Sequence, residues 1–224
     1  MSGNVAAQPT TNKRIYIMEN RHIFNRTAAF GISRKAIFAS VAIFGIPVLA
    51  VAGPSVGLGY SDIGLTGHAG RPGVTLTAGN LYKNDVVASG SATFARGFYG
   101  VNASLGKMIP TGGTVSFEPY AEIGFLNLSY SQPSTTSITD TYGLAGANMN
   151  IPLGQRVALW FGGGYGHTIS TFGGNGNGGA VYKGKAEIGM EIAKRVTTSI
   201  NVSYMHVPGQ QIMTYGAGLS YHFS

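Results

Sequence analysis

The sequence contains no cysteine and few charged side chains. Of its 224 residues only 10% are charged and one is a tryptophan, whereas about a quarter of the residues in an average soluble domain are charged. The lack of cysteine excludes disulfide frameworks, thiol catalysis and thiolate metal sites. Glycine is abundant, at 35 residues. This composition argues against an ordinary cytosolic enzyme.

The basic net charge lies mostly in the first part of the chain. The formal charge of +7 would by itself suggest a nucleic-acid partner. However, residues 1–52 carry six basic residues and one acid, whereas residues 53–224 carry nine and seven. The excess therefore belongs to an N-terminal leader, and we expect no nucleic-acid partner.

The leader has the features of an export signal. A basic pair, Arg34 and Lys35, precedes an apolar run over Ala36–Ala52 that ends in small residues. Ala50 and Ala52, just before Gly53, fit the A-x-A cleavage pattern. A membrane anchor is the alternative, but Pro47 interrupts the run. We predict an N-terminal extension and signal peptide over 1–52, with Met1 or Met18 as the start, and an exported domain over 53–224.

Beyond Ala52 the hydrophobic pattern has the period of strands, and no stretch sustains the period of a helix. In "VYKGKAEIGMEI", Tyr182, Ile188 and Met190 fall on one face, and the charged side chains fall on the other. The pattern predicts eight strands: Val74–Tyr82, Phe98–Ile109, Thr114–Tyr130, Thr141–Ile151, Arg156–Ile169, Val181–Ile192, Val196–Val207 and Ile212–Phe223. If "PSVGLGYSDIGL" and part of "DVVASGSATFA" join the sheet, the count becomes ten.

The connections between these strands suggest a barrel with unequal ends. Tight turns alternate with the more polar segments "SQPSTTSITD", "FGGNGNGG" and "VPGQ". The strand–turn–strand unit repeats at Ile109, Ile151 and Ile192, but without a propeller or solenoid signature. Short turns on one side and longer loops on the other are typical of bacterial outer-membrane barrels.

The choice of outward face decides between a membrane barrel and a soluble one. In a soluble barrel the apolar face would be buried and the polar face would meet water. Here the polar face holds mostly Gly, Ser, Thr and Asn, whereas a face in bulk water normally carries many more Lys and Glu residues. Aromatic residues near strand ends also resemble interfacial girdles. We assign to these girdles Phe98, Tyr99, Phe125, Tyr130, Tyr142, Trp160, Phe161, Tyr204, Tyr221 and Phe223. We therefore predict an all-β, up-and-down antiparallel transmembrane barrel, and an exported soluble barrel is the alternative.

The chain ends on "YGAGLSYHFS", which resembles the C-terminal assembly signal of Gram-negative outer-membrane proteins. The matching positions are Tyr215, Leu219, Tyr221 and Phe223. Residues 53–224 resemble the small OmpA/OmpX-type barrels, and "PGVTLTAGNLYKND" with "GKMIPTGG" resembles the YfaZ-like outer-membrane family. The resemblance implies the cell outer membrane as location. It also implies membrane lipids, lipopolysaccharide and the assembly machinery as partners.

The inward face predicts a polar network inside the barrel. Its charged members are Glu118, Glu122, Arg156, Lys183, Lys185, Glu187 and Glu191. An internal ion-pair network would give a structural or surface-interaction barrel without catalysis, whereas a hydrated lumen would give a narrow porin-like channel.

A lipid A-modifying enzyme is the third possibility, but no triad is evident: Ser203 and His206 fall on opposite faces of one strand. We expect no cofactor and no metal, and the polar loops are the predicted contacts for an extracellular partner that the sequence does not identify.

Overall fold

The computed structural model describes residues 53–66, 69–131, 135–173 and 178–223. The predicted leader, with its cleavage site at Ala50 and Ala52, lies outside the described residues. Every regular element in these ranges is a strand. No helix long and apolar enough to cross a membrane is found in this part of the chain.

Eleven strands follow one another along the chain, each antiparallel to its neighbours. They are β1 (Gly53–Leu65), β2 (Arg71–Leu81), β3 (Val86–Ala95), β4 (Phe98–Lys107), β5 (Ile109–Pro110), β6 (Ser116–Ser131), β7 (Thr135–Pro152), β8 (Val157–Phe172), β9 (Ala180–Ala193), β10 (Val196–Val207) and β11 (Gln210–His222).

The sheet closes on itself. β1 pairs with β11 over Ser55–Leu65, and β4 pairs with β6 over Phe98–Gly106, so ten strands form a ring. The two-residue β5 continues the pairing of β4 along β6. The prediction of eight strands was therefore wrong, and the ten-strand alternative was correct. β1 and β3 are the added strands. In β3 small residues occupy both faces and weaken the alternation of hydrophobicity, whereas in β1 the outward face is apolar at Val56 and Leu58 and polar at Asp62.

Side-chain exposure follows the predicted alternation, with the apolar face outward. On β9, Tyr182, Ile188 and Met190 are exposed, whereas Glu187 is buried inside the ring. From Tyr182 to Ile192 the outward set covers about 33 Å of strand at about 3.3 Å per residue. With a strand tilt of about 40° this corresponds to a band of about 25 Å, the height of the apolar band of outer-membrane barrels.

Three of the aromatic residues assigned to girdles point inward instead. Phe98 and Tyr142 pack in the apolar interior, and Trp160 is 7% exposed inside the ring. Neighbouring residues of a strand face opposite sides, so only one member of Phe98–Tyr99 or of Trp160–Phe161 can face outward. The side chain of Tyr130 lies outside the described residues. Tyr99, Phe125, Phe161, Tyr221 and Phe223 are exposed as predicted.

The two ends of the barrel are distinguished by their connections. At one end, here called the terminal end, lie Gly53, Phe223 and the turns 82–85, 111–115, 153–156 and 194–195. At the other, the loop end, β1, β3, β6, β8 and β10 end and β2, β4, β7, β9 and β11 begin. The segment "SQPSTTSITD" was predicted as a loop, but β6 runs to Ser131 and β7 begins at Thr135.

The three longest strands, β6 to β8, have 16, 18 and 16 residues. Near the loop end, polar side chains replace apolar ones on the outer face of β6 and β7. Asn127 donates hydrogen bonds through its Nδ2 to Ser137 Oγ at 3.0 Å and to Thr139 Oγ1 at 2.7 Å. The apolar band therefore ends before β6 and β7 do.

Two adjacent residues on β10 test which face meets lipid. Ile200 is 60% exposed on the outer face, and Asn201 lines the lumen opposite Glu187. Ile200→Lys should lower the free energy of unfolding in phospholipid vesicles by up to about 2–4 kcal/mol, the cost of a cation at mid-bilayer. Asn201→Lys is the matched control and should cost little, because its ammonium group faces a carboxylate. Equal losses in a urea titration would contradict the assigned orientation.

Candidate functional site

The loop-end half of the lumen is filled by apolar side chains. The buried members of this apolar layer are Ile63, Leu65, Leu126, Leu128, Tyr142, Leu144, Val181, Val207 and Ile212, with Ala95, Phe98, Tyr120, Ile138 and Met205 packed against them. They come from eight of the ten ring strands. The layer therefore crosses the whole lumen.

The sequence analysis did not predict the apolar layer, although the sequence contains a signal of it. In "GFLNLSY", the inward Leu126 and Leu128 follow the outward Phe125, so both faces of the strand are apolar there. At the end of β1 the inward Ile63 and Leu65 give no such signal, because their outward neighbours are Asp62 and Gly64. A strand that is apolar on both faces near one end predicts a filled interior at that end.

Between the apolar layer and the terminal end lies a polar cavity of about 290 Å³. One part of its wall, on β3 and β4, carries hydroxyl and amide groups that pair across strands. Ser89 Oγ and Ser104 Oγ are 2.7 Å apart, and Asn102 Nδ2 donates to Ser91 Oγ at 2.8 Å. These groups are neutral and already hydrogen-bonded to one another, so this wall is polar without charge.

The facing wall carries an ion pair that bridges non-adjacent strands. Lys183 Nζ on β9 lies 2.8 Å from both carboxylate oxygens of Glu122 on β6. Two strands, β7 and β8, separate these residues in the ring. Tyr142 belongs to the apolar layer and also donates its hydroxyl hydrogen to Glu122 Oε1 at 3.0 Å. The ion pair therefore lies directly against the apolar layer and links β6 to β9 across the two strands between them.

A second charged group lies on the same wall. Lys185 Nζ is 3.0 Å from Glu187 Oε2, and Asn148 Nδ2 donates to Glu118 Oε2 at 3.3 Å. The other oxygen of Glu187 is buried and receives no hydrogen bond from the described residues. Trp160 on β8 lies directly opposite Glu187. Three glutamates and two lysines thus line the cavity, and the acids are in excess.

The predicted polar network is brought together only in part. Glu118, Glu122, Lys183, Lys185 and Glu187 all line the cavity. Glu191 stays on the inner face but is half-buried at the terminal end, within electrostatic reach of His222. Arg156 is a correction, because it is exposed in the turn before β8 and does not reach the interior. The strand was predicted to begin at Arg156, whereas it begins one residue later, at Val157.

The residues predicted as an assembly signal lie at the seam where the last strand meets the first. Tyr215, Leu219 and Tyr221 share the outer face of β11. Phe223 follows the strand, and its backbone N–H donates to the Pro54 carbonyl at 2.8 Å. Its ring lies 5.0 Å from that of Tyr221. Recognition of these residues by an assembly machinery stays a prediction.

The candidate histidines do not form a catalytic group with Ser203. His206 stacks on the Tyr182 ring at 4.5 Å, whereas Ser203 lines the cavity. His222 Nε2 lies 3.2 Å from Thr197 Oγ1 at the terminal end. Within the described ranges no three His, Cys, Asp or Glu side chains are grouped to hold a metal ion.

Comparison with known proteins identifies the fold but not a family. No family model matches the sequence, and no curated protein matches it. An outer-membrane channel from Pseudomonas putida F1 is 7% identical, with a TM-score of 0.50 over 80% of this chain and 97% of that one. The translocator domain of the autotransporter NalP from Neisseria meningitidis is 12% identical, with a TM-score of 0.44 over 77% and 89%.

The beta domain of the Bordetella autotransporter BrkA is 14% identical, with a TM-score of 0.48 over 76% and 99% of the two chains. The likeness to the Pseudomonas putida channel, at 7% identity, shows the fold alone, which is a closed antiparallel barrel like those of outer-membrane proteins. The narrower resemblance to OmpA/OmpX-type or YfaZ-like proteins stays a prediction.

The Glu122–Lys183 ion pair should stabilise the folded barrel. Lys183→Met leaves the buried Glu122 carboxylate with only the Tyr142 hydroxyl, and should cost about 3–5 kcal/mol of unfolding free energy. Lys83→Met, at an exposed turn position, is the matched control and should change stability by less than about 0.5 kcal/mol.

Adding Glu122→Gln to Lys183→Met removes the unpaired charge and should restore most of the loss. A double-mutant cycle measured by denaturant titration in zwitterionic detergent tests this. If the two changes have simply additive effects, the pair is not coupled.

Proposed function

We propose that this chain is a Gram-negative outer-membrane β-barrel with a structural or surface-interaction role, a closed lumen and no catalysis. The observation that carries the proposal is the combination of a closed ring, an outward apolar face and an apolar layer across the lumen.

The outer face supports a membrane location. Large apolar side chains are exposed on strands all around the ring, for example Leu58 at 51%, Leu105 at 60% and Ile123 at 55%. A soluble monomer rarely exposes a continuous apolar surface of this kind. In hydrocarbon, backbone groups cannot bond to water, so strands can span only as a closed barrel. The ring meets that requirement.

The apolar layer supports a closed lumen. An ion crossing it would lose its hydration shell without gaining a polar partner. The Glu122–Lys183 pair, which is bonded to Tyr142 in that layer, holds the wall beneath it together. The cavity is therefore a polar compartment on the terminal side of the apolar layer and not a continuous pore.

A narrow channel remains the second candidate, and the polar cavity favours it. If the apolar layer opened, ions would enter a lumen lined by three glutamates and two lysines. Cations would then be preferred over anions. The lipid A-modifying alternative has less support, because Ser203 lines the cavity and His206 stacks on Tyr182.

Fractionation of the native host tests the location. The protein should sediment with outer membranes, require detergent for extraction, and migrate differently on gels before and after heating. Recovery from the periplasm without detergent would contradict the proposal. An unchanged lipid A mass spectrum in a deletion strain is the expected result if the protein is not an enzyme acting on that lipid.

Single-channel recordings in planar bilayers test whether the lumen is closed to ions. The unaltered protein should show no steady openings. The double variant Ile63→Ser/Leu128→Ser, in which two fully buried members of the apolar layer become polar, should conduct and should select cations in a salt gradient.

Leu105→Ser is the matched control, because it makes the same type of change on the outer face. This variant should show no steady channel openings in the same recordings. Discrete openings of the unaltered protein would instead support the channel.

A further inference from the structure

The turns at the terminal end share a feature that the barrel fold itself does not require. Three of the four turns there contain an exposed cation, namely Lys83 between β2 and β3, Arg156 between β7 and β8, and Lys194 between β9 and β10. The fourth, Lys107, is the last residue of β4 and precedes β5 and the turn 111–115. All four side chains are exposed. Together they are called the basic ring.

The loop end lacks such a feature. The sequence segments that join the strands there contain a single Lys or Arg, which is Arg96, and no acid. Arg71, the first residue of β2, also lies at this end, but its guanidinium donates hydrogen bonds to the carbonyls of Arg96, Gly97 and Ser129. The four turns of the terminal end contain a single acid, Asp85. Charged turn residues that serve only solubility have no reason to collect at one end. The asymmetry therefore needs a further explanation.

Each cation of the basic ring also lies beside a large apolar side chain on the outer face. Tyr82 precedes Lys83, Ile109 lies two residues after Lys107, Leu153 shares a turn with Arg156, and Ile192 lies two residues before Lys194. These four apolar side chains are 43–58% exposed. The basic ring therefore lies where the apolar band ends, at the depth of lipid headgroups, where long basic side chains reach the interface.

The ring cations are available for a partner outside the barrel. The ion pairs among the described residues are Lys183–Glu122 and Lys185–Glu187, and neither includes a member of the basic ring. Asp85 shares the turn with Lys83 but makes no ion pair with it. Because the four cations lie on or next to different strand pairs around the terminal end, a soluble acidic protein bound at one side would reach only some of them.

We propose that the basic ring binds the headgroups of anionic phospholipids in the leaflet that surrounds the terminal end. The ring matches the annular lipid shell in shape, in depth and in the sign of its charge. A basic residue near an anionic membrane surface contributes favourable electrostatic energy that falls off within a Debye length. The proposal rests on the proposed membrane location and adds a lipid preference at the end with the short, periplasmic-type turns.

Spin-label measurements of lipid association test this directly. Protein purified from the membrane fraction is reconstituted in phosphatidylcholine vesicles, and the relative association of spin-labelled phosphatidylglycerol and phosphatidylcholine is compared. We expect phosphatidylglycerol to be enriched about five-fold at the barrel surface. The enrichment should fall toward one at high salt, because the interaction is electrostatic.

The variant Lys83→Gln/Lys107→Gln/Arg156→Gln/Lys194→Gln should lose the enrichment. Arg96→Gln, at the loop end, is the matched control and should keep it. Heat-modified gel migration in phosphatidylcholine vesicles verifies that each variant is folded, and because exposed turn positions are changed, folding should be retained.

Equal association of the two lipids with the unaltered, folded protein would overturn the basic ring as a lipid site, and the membrane barrel would still stand. Failure of the unaltered protein to insert into vesicles at all would instead overturn the proposed function. Enrichment that persists in the four-residue variant would also contradict the assignment to these residues.

Discussion

The architecture depends on one constraint, which is that every backbone N–H and C=O group within hydrocarbon must find a partner in the chain. A sheet meets this constraint only when its first and last strands pair. Here the pairing of β1 with β11 closes the ring, and the Phe223 N–H extends it to the Pro54 carbonyl. Once the ring is closed, the period of two assigns each strand one lipid face and one lumen face. The two faces then have independent roles.

The lumen is filled in two ways, by apolar packing near the loop end and by paired polar groups near the terminal end, and Tyr142 takes part in both. Tyr142 packs in the apolar layer and hydrogen-bonds to Glu122, whose carboxylate binds Lys183 from across two strands. The charged side chains of Glu118, Glu122, Lys183, Lys185 and Glu187, which line the cavity, are tolerated because each has a partner of opposite sign or an amide donor. The lumen therefore has a polar cavity on the terminal side of Tyr142 and is filled by apolar side chains on the loop side.

Strands with strict alternation, such as β9 and β11, were predicted from the sequence, because their period of two is set locally. The count was less certain where Gly, Ser and Ala occupy both faces, as in β3. The members of the Glu122–Lys183 pair lie 61 residues apart, and their contact depends on the number of strands between them. The apolar layer was missed for a similar reason, because its side chains come from eight strands and converge only after closure.

The extension of β6 and β7 beyond the apolar band has a consequence for any molecule that binds at the loop end. A loop would present an unpaired segment of chain at this end. Here β6 and β7 instead present paired backbone, and Asn127 on β6 hydrogen-bonds to Ser137 and Thr139 on β7. A protease needs an extended, unpaired segment, and an antibody raised against a linear peptide needs a free chain. Neither would engage this paired sheet, so a partner that binds at this end would have to recognise its folded surface.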